Sequence, residues 1–349
     1  SKANDAGWFC NKYRHYTCFE QSCLFTNHPN FRSINAHVKN TISYFKQFHS
    51  DYLPMQGFVL IGVFLTVVIA TNYQLNLEDN YIDKIKPAAL RVPAFFSLNA
   101  LAYFGVLLML KMYRKSALKV NIRAVSYSAF GLLILSVDRS VFPYLVKPIL
   151  GDLHQQEFIF WYKILFNSYG WITIFGALCL TKLLLDKKKA NGFYGLHFQL
   201  TNFRFYALLV ALIIPITALT ALNSEFNSFY PVYKRCGGYA FAAFHQIPEW
   251  VSVITYEFFY LTDFLNTELL FRGFLVIGVS KYLGKDSILP MVAAYAVLHF
   301  GKPLGETISS VFGGYLLGVL AYYSKNIWGG VILHITLAGS MEFFAFLLN

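Results

Sequence analysis

Long apolar runs, each bounded by charged or turn-forming residues, recur from residue 54 to the end of this chain. They lie near 54–72, 92–110, 126–146, 158–185, 203–221, 250–280, 288–303, 308–324 and 328–348. Several approach the roughly 20 residues that a helix needs to cross a hydrocarbon core of about 30 Å. The 288–303 run is short and reads as half-buried. The 250–280 run is too long for one perpendicular span, so it is expected to tilt, break or project. Residues 1–53 hold no run of spanning length and no charged start followed at once by an apolar core, so no cleavable signal peptide is expected. Within them Phe31, Ile34, Val38, Ile42, Phe45 and Phe48 recur at helical spacing, with Arg32, Lys39 and Lys46 between. That pattern fits an amphipathic helix on the inner membrane surface, or a small cytosolic helical cap. There is no internal repeat. The pattern predicts an all-α polytopic integral membrane bundle of about eight to nine transmembrane segments. Residues 1–53 form a cytoplasmic extension, 54–200 an N-terminal membrane layer and 201–349 a C-terminal core.

Composition agrees. Charged residues make up 13% and hydrophobic ones 56% of the 349 residues, against about 25% and 45–50% in soluble domains. This excludes an ordinary cytosolic enzyme and a disordered chain. Lys and Arg outnumber Asp and Glu by 29 to 18, a net charge of +11. In a membrane protein such an excess marks cytoplasmic loops rather than nucleic-acid binding. Lys111, Arg114, Lys115, Lys119 and Arg123 follow the second run, and Lys187, Lys188 and Lys189 follow the fourth. Two crossings separate these loops, so both can be cytoplasmic, with the N-terminus inside a cytoplasmic (inner) membrane. The 73–90 loop, with Glu78, Asp79 and Asp83, suits the opposite side. The odd cysteine set (Cys10, Cys18, Cys23, Cys179, Cys236) shows no pairing framework. Cys10, Cys18, Cys23, His15 and His28 lack the C-x-x-C of a zinc knuckle and read as ordinary thiols and imidazoles.

Ionisable side chains at membrane depth are costly and are functional candidates by default. Asp138 and Arg139 in the third run are expected to neutralise each other or neighbours. The last hundred residues are richer: Glu257, Asp263, Glu268, Arg272, His299, Glu306, His334 and Glu342 all lie in or beside apolar runs. Glu268 and Arg272 are four apart, share a helix face and can form a structural ion pair. His299 ends its run, and Pro303 and Gly305 argue for a bend or stop before Glu306. Gly301/Gly305 and Gly314/Gly318 have the small-residue spacing that lets helices approach closely. The aromatic, basic stretch 228–236 reads as an interfacial loop, with a gate over a site as the other reading.

These segments together resemble the CPBP family of intramembrane endopeptidases, which includes the type II CAAX prenyl endopeptidase and bacterial self-immunity proteins. The family pattern is Glu-Glu-x-x-x-Arg, then Phe-x-x-x-His, then His-x-x-x-Asn (or His). Glu268 and Arg272 match the second Glu and the Arg, followed by Gly273. Tyr295 and His299 match the second motif with Tyr for Phe, and His334 matches the leading His of the third. The resemblance covers roughly residues 200–349 and implies a CPBP-like C-terminal core. Two positions depart: the first Glu, which the family's mechanism favours as the water-activating base, is Thr267, and the Asn position is Ala338.

The leading expectation is intramembrane or membrane-proximal peptide hydrolysis by an activated water. Glu268 or Glu306 would be the base, His299 would orient the water, and His334 would stabilise the oxyanion. The expected partners are the bilayer and a membrane-associated peptide or protein substrate, with no cofactor. In a zinc variant His299, His334 and Glu268 or Glu306 would be the ligands, although no H-E-x-x-H is present. A second expectation is a catalytically silent relative acting as a membrane adaptor or immunity protein. A third is a proton-coupled transporter, against which stands the lack of an inverted repeat. No G-x-S-x-G and no phosphate-binding loop occur.

Overall fold

The computed structural model describes residues 41–50, 52–115, 118–186, 192–198 and 203–348, and they contain no strand. Each of the nine apolar runs is a helix. We number them α1 (Met55–Leu75), α2 (Ala88–Arg114), α3 (Ile122–Leu150), α4 (Gln155–Leu185) and α5 (Phe203–Thr220). Then come α6 (Glu249–Glu268), α7 (Ile288–Leu298), α8 (Leu304–Ser324) and α9 (Trp328–Leu348). Seven of them, all but α6 and α7, are long and apolar enough to cross a membrane. The protein is thus an all-α polytopic membrane bundle, and two of the nine runs are not simple spans.

The two exceptions have different causes. Four acids, Glu249, Glu257, Asp263 and Glu268, interrupt α6. Beyond Glu268 it widens into a π-helix, Leu269–Gly278, in which every residue is buried. The wider hydrogen-bond step shows where Val279 N–H donates to Phe274 O, five residues back, at 2.9 Å. Such π segments tend to mark functional positions. Helix α7 has 11 residues, a rise of about 16 Å, or roughly half the hydrocarbon thickness. Every residue from Ile288 to Val297 is buried, because α2, α8 and the π segment surround it. A half-length helix is tolerable at membrane depth only when protein satisfies its ends.

Lipid tails are as apolar as leucine, so close packing rather than escape from water holds such helices together. The Gly314/Gly318 pair does this work on α8. A Cβ at Gly314 would lie 3.0 Å from Tyr295, and one at Gly318 would lie 2.8 Å from Met291 of α7. Gly301 serves differently, holding φ +80° in the turn after α7, a conformation that glycine adopts without strain. One buried cluster joins Ile61, Tyr103 and Leu132 of the N-terminal helices to Phe271, Tyr295 and Val319 of the C-terminal ones.

Residues 41–49 are helical. Phe48 is fully buried and packs against Tyr52 and Tyr315, while Ile42 stays exposed. The remainder of the expected amphipathic helix, and the Cys10, His15, Cys18, Cys23 and His28 set, lie outside the described residues. Asp138 and Arg139 do not pair with each other: Arg139 pairs with Glu78, and Asp138 accepts a hydrogen bond from Thr173.

Candidate active site

Three late helices bring the motif residues together. Glu268 sits where α6 widens, and it is fully buried. Its Oε1 accepts Arg272 Nη1 at 2.7 Å and His334 Nδ1 at 3.1 Å. Its Oε2 has no hydrogen-bond partner and lies against Gly330 of α9, where any Cβ would collide with it. Arg272, also fully buried, places its guanidinium carbon 4.0 Å from the centroid of the Tyr295 ring. That aromatic face supports the cation, while Nε and Nη2 make no hydrogen bond.

His299 follows the last turn of α7, where its Nδ1 lies 2.8 Å from Tyr295 O. A carbonyl only accepts, so Nδ1 carries the proton and Nε2 is the acceptor nitrogen of the neutral ring. The same logic applies to His334, whose Nδ1–H faces the Glu268 carboxylate. The Tyr295 ring packs edge-on to His299 at 4.6 Å and lies 6.2 Å from the His334 ring. Phe264 covers His334 on its other side at 4.2 Å.

A cavity of about 240 Å³ opens between these helices. His299, His334, Glu306 and Lys302 line it, with Tyr230, Tyr260, Ser309 and Ser310, and apolar side chains of α5, α8 and α9 complete the wall. Glu306 enters from the first turn of α8. Its Oε1 accepts Lys302 Nζ at 2.6 Å, and its Oε2 accepts the Tyr230 hydroxyl at 2.9 Å. His299, Glu306 and His334 are thus gathered at one cavity. Glu268 is not in its wall and reaches it only through His334. Arg272 stands behind Glu268.

The remaining late acids serve elsewhere. Glu342 accepts the backbone N–H groups of Val232 and Tyr233 at 2.8 and 3.4 Å and so anchors the turn Val232–Arg235. Asp263 accepts Asn266 Nδ2 at 3.2 Å. Neither they nor Glu257 line the cavity. Ala338, at the family's Asn position, does line it, whereas Thr267 is half-buried and does not. Among the described residues no three His, Cys, Asp or Glu side chains converge as a metal-holding group. Sequence reasoning missed Lys302 and Tyr230 as site residues. Lys302 had a signal in its four-residue spacing to Glu306. Tyr230 had only the aromatic character of its loop.

The fold defines an integral membrane protein whose C-terminal helices leave between them a largely apolar cavity lined by a few polar side chains. Residues 248–339 match the family model described as type II CAAX prenyl endopeptidase Rce1-like. That segment is therefore a CPBP-type domain, whose family consists of membrane proteases. No curated protein and no solved structure matches the chain significantly.

Proposed function

We propose that this protein hydrolyses a peptide bond of a membrane-associated substrate in the cavity between α7, α8 and α9. The observation that carries the reading is the gathering of His299, Glu306 and His334, from three separate chain segments, at one cavity whose wall is otherwise largely apolar. Glu306 is the carboxylate that meets the cavity. A carboxylate offers about four lone-pair sites, and Lys302 and Tyr230 leave room for a water. Glu306 takes a proton from that water as its oxygen attacks the scissile carbonyl, and His299 Nε2 accepts the water's second hydrogen bond and orients it. The oxyanion that forms needs a donor. His334 supplies one through Nε2–H when its ring is doubly protonated, with Nδ1–H held on the Glu268 carboxylate. Glu306 then returns its proton to the leaving nitrogen as the C–N bond breaks.

In this reading the bilayer delivers the substrate, no metal takes part, and the basic loops keep the N-terminus on the cytoplasmic side of an inner membrane. The test uses purified protein in liposomes with three probes: a farnesylated C-terminal CAAX peptide, the same peptide without lipid, and an apolar transmembrane peptide. Mass spectrometry of the products reads the result. Cleavage of at least one probe is expected, falling by about 10²–10⁴-fold in His299→Ala.

A catalytically silent relative is the second reading. It is favoured by Thr267 and Ala338 at the family's Glu and Asn positions, and by donors already on both Glu306 oxygens. Folded protein that cuts none of the three probes would select it.

A further inference from the structure

The turn between α7 and α8 carries two of the cavity's polar side chains, His299 and Lys302. Its carbonyls have left the helical ladder: His299 O keeps only the Lys302 N–H at 3.2 Å, and at membrane depth such groups need further partners. Two hydroxyls supply them. Thr307 Oγ1, fully buried on α8, donates to His299 O at 2.7 Å. Tyr73, near the end of α1, donates its hydroxyl to Lys302 O at 2.5 Å. The two hydroxyl oxygens also lie 2.7 Å apart. Two protons thus serve three short contacts, a compact brace that binds the His299 and Lys302 carbonyls at once.

Tyr73 lies far outside the family-like segment 248–339, on a helix with few buried residues. Packing alone would be met by phenylalanine, since a hydroxyl in an apolar bundle is costly unless it is hydrogen-bonded. The oxygen is spent on the carbonyl three residues beyond His299. From there the order passes to the ring: the turn fixes the His299 backbone, and Nδ1–H on Tyr295 O fixes the imidazole plane.

We propose that Tyr73 is a positioning residue of the site, acting with Thr307 to hold the His299–Lys302 turn so that His299 Nε2 and the Lys302–Glu306 pair keep their places in the cavity. The inference rests on the hydrolytic reading for its kinetic consequence, but not for its structural one.

The test compares wild type with Tyr73→Phe, Thr307→Val and the hydroxyl-conserving Thr307→Ser, purified in detergent. The first readout needs no substrate. The rate of His299 carbethoxylation by diethyl pyrocarbonate is followed by peptide mass spectrometry. Freed from the brace, His299 is expected to react at least about threefold faster in Tyr73→Phe and Thr307→Val, with Thr307→Ser close to wild type. The second readout is kinetic, on any of the three peptide probes that wild type cuts. A small misplacement of a reacting group costs up to about 100-fold in rate, so kcat is expected to fall about 10–100-fold while KM stays within about twofold. Unchanged His299 reactivity in Tyr73→Phe would overturn the proposal, as would a change in melting temperature with kcat intact. Should wild type cut no probe, the hydrolytic reading fails while the reactivity series still decides the brace.

Discussion

Replacing Glu268 with Gln removes one charge and keeps the volume of the side chain. Glu268 and Arg272 are both fully buried, and Glu268 is the only carboxylate that the guanidinium contacts among the described residues. Removing one partner of such a pair leaves the other charge uncompensated, which costs about 3–5 kcal/mol. Tyr295 already lies against the guanidinium and offers no new compensation. At about 2–4 °C per kcal/mol, the variant should melt roughly 6–20 °C below wild type in the same detergent. Glu268→Gln combined with Arg272→Met should recover part of that loss, because the pair is then absent rather than broken, and the coupling should fall within about 0.5–3 kcal/mol. Thermal unfolding followed by circular dichroism, across wild type, both single variants and the double, measures the cycle. A Glu268→Gln protein as stable as wild type but devoid of cleavage would refute the reasoning. Glu268 would then act on the substrate itself, rather than by holding His334 from behind.

Gly329→Ala places a methyl group against the Tyr206 ring, where α5 packs on α9, and overpacking of this kind should cost about 1–3 kcal/mol by the same unfolding assay; unchanged stability would show that α5 shifts freely. Arg139→Met leaves the buried Glu78 carboxylate unpaired, with an expected loss of about 3–5 kcal/mol that Glu78→Gln in the same chain should reduce; equal stability of the single and double variants would sink this. Beyond the end of α4, burial works to raise the pKa of Asp186, yet the hydrogen bonds from Lys281, Tyr194 and Tyr127 hold it below the ordinary carboxylate value. A depressed carboxylate contributes stability that is present above its unfolded pKa of about 3.9 and lost as pH falls through the folded value. Asp186→Asn should therefore flatten the acid side of stability below about pH 4, and an identical pH profile in the variant would contradict the assignment.

The late helices were legible because ionisable groups in apolar runs are rare enough to stand out one by one. Glu268, Arg272, His299 and His334 were found that way, and the structure brings them together. What the spacing concealed was direction. Glu268 faces His334 and Gly330 of α9 rather than the cavity, and a contact 66 positions further along the chain is not written in the local spacing. Glu306 was a candidate through its closeness to His299, yet its Tyr230 partner lies 76 residues away and could not be read from a single chain. Arg139 was assigned to Asp138 or to neighbours, and its partner Glu78 comes from a loop 61 positions earlier. Runs 250–280 and 288–303 looked like unusual spans. One is studded with acids and the other is sealed by protein, and only neighbours known from the fold distinguish these cases from lipid-facing helices.

Helix α7 has a consequence for how the chain is made. Eleven residues cannot bridge the bilayer, and the ends of this segment find their partners on elements that flank it. It packs on α2, and Tyr73 of α1 reaches the turn beyond it, both already synthesised, but the hydroxyl on His299 O belongs to Thr307 of α8, which has yet to emerge. The brace on the segment that presents His299 is therefore complete only once the following helix is made, and the cavity, whose wall also takes side chains from α8 and α9, is finished only with the last helix of the bundle.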